Sequence, residues 1–229
     1  MNTLLSKSNL GVSAYGRGSR IPFHRILPTS AFGRLRGKWG RGEATVGADG
    51  LLTGKVINIP PGMGAFFAYM AWRKITGASY QLTLKQKAGE KYDNEGFARI
   101  GDRYVIACTT TFGVIGDYVD FYQSDGHVFK CIIGDVKNPK DRGWSVWGHS
   151  EGKNVIEFVT NWPDHHINPG TKNLHPEWGG KTVVKAVNGG SFFTPEENLA
   201  QRKFLYKRYN GLYPGIGPNG EWTKVDGDT

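Results

Sequence analysis

Between residues 101 and 160 the chain is written in short blocks of apolar and β-branched residues separated by Gly, Asp and Asn. This pattern predicts strands at 103–108, 118–122, 128–133 and 154–159. In 118–122, Val119 and Phe121 alternate with Tyr118, Asp120 and Tyr122, so one face is expected in the core and the other in water. Asp120 then belongs to the wet face. Ser124-Asp125-Gly126 between the second and third strands is a hairpin signal, because glycine supplies the positive φ of a tight turn. Further strands are expected at 55–59 and 182–187.

Residues 63–76 are apolar around most of a helical circumference and predict a short buried helix. A second short helix is expected from Ser79 to a capping Gly89. Thr194-Pro195-Glu196-Glu197 is a strong helix start: a capping hydroxyl, a proline at the first position and acids against the positive end of the dipole. That helix should run through Leu199, Phe204 and Leu205 to Tyr209 and stop at Gly211, with Arg202, Lys203, Lys207 and Arg208 as a solvated face. Residues 213–229 read as an irregular tail.

The chain has 229 residues, enough for one domain with appendages or two small ones. Its 33 glycines and 13% aromatics favour a mainly β fold with many turns. No run of about 18 apolar residues occurs, so no membrane span is expected. The N-terminus lacks the apolar segment of a secretory signal, which predicts synthesis in a host cytoplasm without export by that route. Cys108 and Cys131 read as two buried hydrophobes or as a bridge between neighbouring strands.

Charge divides the chain. Residues 1–42 hold eight bases, six of them arginine, and no acid, while the remainder has 21 bases against 20 acids. The first segment has no periodicity and predicts an extended basic arm, which reads either as a solubilising tail or as a segment that binds nucleic acid, another polyanion or a partner subunit. The expected organisation is an arm (1–42), a flanking segment with short helices (43–100), a β domain (101–190) and a C-terminal helix with tail (191–229).

Asp164, His165, His166, His175 and Glu177 gather metal-ligating residue types, but their spacing matches no established motif and Pro and Gly interrupt it. No metal and no cofactor is expected. The leading chemical candidate is Asp135, delivered by Cys131-Ile132-Ile133 to what reads as a surface loop of Lys137-Asn138. Apolar surroundings would raise its pKa into the range of a general acid. Asp117, Asp125 and Asp141 lie near turns and should be solvated.

Taken together, Gly116-Asp117-Tyr118-Val119, Gly126, Ile133-Gly134-Asp135 and Gly152-Lys153-Asn154-Val155-Ile156-Glu157-Phe158-Val159 resemble the 3D (triple-aspartate) domains, relatives of lytic transglycosylase A, rare lipoprotein A and expansins. The resemblance covers residues 102–160 and implies a six-stranded double-psi β-barrel core, with Asp135 at the catalytic position. Glu157 stands where that family has a later Asp, and Lys137 and Asn138 replace its glycines.

The implied activity is cleavage of peptidoglycan glycan strands by a lytic transglycosylase with one Asp as acid and base. The whole also resembles proteins encoded by phages or prophages of Gram-positive bacteria, which implies a virion-associated protein or one released at the cell wall. Thr109, Thr110 and Thr111 read either as strand residues or as hydroxyls that bind sugar or orient Asp135. Trp144 and Trp147 read either as sugar-stacking rings or as barrel closure, with His149 as a polar contact; Asp117 and Glu157 complete the expected substrate-binding set. The alternative is a non-catalytic virion or tail protein that uses the barrel for assembly or glycan binding.

Overall fold

The computed structural model describes residues 33–36, 42–72, 75, 79–88, 91–161 and 179–225. In chain order the elements are β1 (Gly33–Arg36), β2 (Glu43–Val46), β3 (Lys55–Asn58), β4 (Phe66–Ala71), α1 (Ser79–Ala88), β5 (Lys91–Tyr92) and β6 (Ala98–Ile100). There follow β7 (Arg103–Cys108), β8 (Asp117–Gln123), β9 (Val128–Val136), β10 (Asn154–Thr160), β11 (Val183–Ser191) and α2 (Pro195–Arg208). The fold is mainly β. All of these strands join one mixed sheet whose main path is β1-β2-β11-β8-β9-β7-β10-β4, with β3 on β11 and β5-β6 on β7. β7 pairs β9 in parallel and β10 pairs β4 in parallel, while the other ladders are antiparallel. The path does not close on itself among the described residues.

The sheet curls around an aromatic core. Phe67 of β4 meets Phe129 of β9 with ring centroids 5.4 Å apart, although β10 and β7 stand between those strands in the sheet. Phe67, Phe97, Phe121, Phe129, Ile106, Ile133 and Phe158 fill the concave side, and Trp72, Leu84, Val105, Ile132, Val159 and Phe193 cover the convex side. Central strands buried on both faces explain the near-continuous apolar runs of β7, β9 and β10.

Residues 66–71 are a strand, not part of the expected helix over 63–76. Phe67 and Tyr69 enter the concave core, whereas Met70 and Trp72 join the convex one. An all-apolar stretch fits a strand covered on both sides as well as a buried helix, and here the alternation decides. The hairpin at 124–126 is as expected, with Gly126 at φ 90° and its amide donating to Gln123 O. Cys108 and Cys131 are free, buried thiols. Residues 33–36 of the basic segment form β1 against β2; residues 1–32 and 37–41 lie outside the described residues.

Asp120 is not solvated. β8 is covered on both faces, and Asp120 accepts from Arg103 at 2.7 Å and from the Leu52 amide at 2.7 Å. Arg202 likewise leaves the expected solvated face of α2. The helix starts at the expected Thr194 capping box, but it docks through polar groups. Gln201 pairs with both the amide and the carbonyl of Ile115, and Arg202 and Asn198 donate to Asp117. Trp222 closes over the Arg202 guanidinium at 3.7 Å.

Candidate functional site

Gly134 decides where Asp135 points. β7 and β9 pair Ile106 with Ile133 and then Ala107 with Asp135, so Gly134 is the extra residue of a β-bulge. Strict alternation would send Asp135 inward behind Cys131 and Ile133; the bulge turns it to the face that carries Ala107. A Cβ on Gly134 would stand 2.4 Å from Val105 Cγ1, so a larger residue would force the Val105 side chain or the strand to shift. β9 therefore continues to Val136, and Asp135 belongs to a strand rather than to the expected loop.

The row continues across the sheet. Ala107 also pairs with Glu157 on β10, so Asp135 and Glu157 flank a single methyl group. Their backbones are two strand spacings apart, about 9.5 Å. Both carboxylates line a groove of about 560 Å³. Its other walls include Tyr69 and Met70 of β4, Gln81 of α1, Lys137, His149, and Phe204, Arg208, Tyr209 and Tyr213 at the C-terminal end.

The two carboxylates differ in their partners. Glu157 accepts from Lys137 Nζ at 2.6 Å, and that lysine side chain is almost wholly buried. Asp135 accepts from the Val136 amide at 2.9 Å and from Gln81 Nε2, and among the described residues no cation lies within ion-pairing distance. Burial pushes the Asp135 carboxyl up to about 6, with the Glu157 charge adding to the rise; the hydrogen bonds from Val136 and Gln81 and the more distant Lys137 oppose it. A carboxyl poised there can give up a proton and take one back near neutral pH.

Lys137 also approaches His149 Nδ1 at 3.4 Å. An ammonium only donates, so Nδ1 accepts and the imidazole proton sits on Nε2, 3.6 Å from Asp141 Oδ2. Burial and the Lys137 charge hold His149 below its ordinary pKa.

The groove thus brings together Asp135, Glu157 and His149 from the expected set. Thr109, Thr110 and Thr111 are fully buried with committed hydroxyls. Thr109 and Thr111 donate to Val146 O and Thr110 donates to Pro214 O, so they tie down the 143–149 loop and the C-terminal segment. Trp147 is buried and packs on Phe112 at 6.2 Å, while Trp144 is half-buried and does not line the groove.

Asp117 is buried rather than solvated and lines a different cleft. Asp125, with Lys181 at 2.5 Å, and Asp141 are more exposed. His165, His166, His175, Asp164 and Glu177 lie outside the described residues, and no metal-binding cluster occurs among those described.

Gln81, Phe204, Arg208, Tyr209 and Tyr213 were not foreseen as groove residues. They come from α1, α2 and the segment after it, far from Asp135 in sequence, and no motif joins them. Comparison with protein-family models, with curated proteins and with solved structures found no match. Function therefore has to be argued from the groove itself.

Proposed function

We propose that this protein cleaves peptidoglycan glycan strands as a lytic transglycosylase, with Asp135 as the single acid and base. The observation that carries the reading is a half-buried carboxyl without an ion-paired cation, raised to about 6, in an open groove with aromatic walls. The protonated Asp135 donates to the glycosidic oxygen, and the bond from that oxygen to the anomeric carbon breaks. The resulting carboxylate takes the proton of the muramic C6 hydroxyl, whose oxygen bonds to the anomeric carbon. A 1,6-anhydro end forms, no water is consumed and Asp135 is protonated again.

Glu157, anchored by Lys137, supplies negative charge against the positive charge that develops at the anomeric carbon. Phe204 and Tyr209 offer ring faces for sugars. A double-psi barrel is supported by the two parallel ladders within an otherwise antiparallel, curled sheet. Phage or prophage origin, action at the host wall and a basic arm that holds virion subunits or nucleic acid complete the proposal.

The test is incubation with purified peptidoglycan and mass spectrometry of soluble products. Wild type should release anhydromuropeptides and Asp135→Asn should release at least about 10³-fold less. Hydrated reducing ends instead would make the enzyme a hydrolase. A second reading, a non-catalytic assembly protein, draws on the exposed Leu199, Phe204 and Leu212; it requires glycan or subunit binding with no soluble product from either protein.

A further inference from the structure

Resting on the glycan-cleaving reading above, we infer that Arg208 binds a carboxylate carried by the glycan and makes the groove selective for acidic strands. Arg208 ends α2 and lines the Asp135 groove. Its guanidinium stands 5.6 Å from the Phe204 ring and 5.7 Å from the Tyr209 ring, two aromatic residues of the same wall. Phe204 is 47% exposed, far more than an aromatic ring used for packing needs.

The other groove cation, Lys137, is occupied by Glu157 and His149. Arg208 forms no ion pair with a described carboxylate although Asp135, Asp141 and Glu157 line the same groove. A fork of donors laid on aromatic faces is suited to a planar carboxylate, and the rings beside it to the sugar that bears it. A neutral polysaccharide would leave this charge without a function. Placement near the helix C-terminus favours a cation there but is served equally by Lys207, which does not line the groove.

On peptidoglycan such a carboxylate belongs either to the stem peptide or, where the peptide has been removed, to the lactyl ether. The experiment measures binding by calorimetry to the full chain carrying Asp135→Asn, so that no strand is cut. Three probes are compared: soluble strands with stem peptides, strands stripped of peptide by an amidase, and a chitin oligosaccharide, which has no carboxylate.

Adding Arg208→Ala should weaken binding of a carboxylate-bearing probe about tenfold and leave chitin binding unchanged, with partial recovery in Arg208→Lys. Loss on peptide-bearing strands alone assigns the stem peptide; loss on stripped strands assigns the lactyl group. Equal weakening on all three probes, or none on any, overturns the inference while leaving the glycan-cleaving reading standing. Absence of binding to every probe, with no soluble product from wild type, would end both.

Discussion

Asp117 and Asp120 on β8 and Asp135 on β9 are aspartates of adjacent strands, and all are largely withdrawn from water, yet their surroundings divide them. Asp120 is fully buried against Arg103, and Asp117 is fully buried against Arg202 with Asn188, Asn198 and the Val114 amide also donating to it. Burial pushes the Asp117 carboxyl up, and Arg202, the Val114 amide and Asn188 oppose that rise. Asp135 has a glutamine, one amide and a like-charged neighbour across Ala107. A buried carboxylate supplied with an arginine joins elements: β8 to the turn at Leu52, or α2 to the sheet. One left without a cation is free to exchange its proton.

The comparison breaks most visibly if the arginines are removed. Arg103→Met leaves Asp120 buried and unpaired and should cost about 3–5 kcal/mol in urea denaturation. A loss under 1 kcal/mol would put the two kinds of aspartate in one class.

Asp135→Asn should act in the opposite direction. The folded-state pKa of about 6 lies above the ordinary 3.8, so the carboxyl favours the folded protein least once it ionises. Its contribution is neutral below pH 4 and falls as pH rises from 4 to 6. Asp135→Asn should therefore raise stability at pH 8 by up to about 3 kcal/mol and leave it unchanged at pH 3.5. Measured at both pH values, an equal loss at each would show that Asp135 is structural.

Gly134→Ala tests whether the bulge turns Asp135 outward. Its Cβ would meet Val105, so about 1–3 kcal/mol of stability should be lost together with peptidoglycan cleavage. Retained cleavage would separate the bulge from the site. The smallest expected effect is a control: Thr194→Ala removes the α2 cap for about 1 kcal/mol and should leave the pH dependence due to Asp135 intact.

The sequence made the strands at 103–108 and 154–159, the hairpin at Gly126 and the capping box at Thr194 legible, because each depends on neighbours within a few residues. It misread 66–71 because both faces of that strand are covered, and it misread Asp120 and Arg202 because their partners are distant in sequence. Asp135 could be singled out from the apolar run before it. Its outward turn could not, since the bulge exists only once β7 fixes the register against β9. Lys137, which stood out as a departure from the family pattern, turned out to hold Glu157 and to set the tautomer of His149.

The central claim is that Asp135 keeps its proton until near neutral pH. A carbon-detected NMR titration of the aspartate side-chain carboxyls, with Asp135→Asn to assign the signal, tests it directly. A midpoint near 6 for Asp135 is the expected result; a midpoint at or below 4 would contradict the assignment of this carboxyl as the acid.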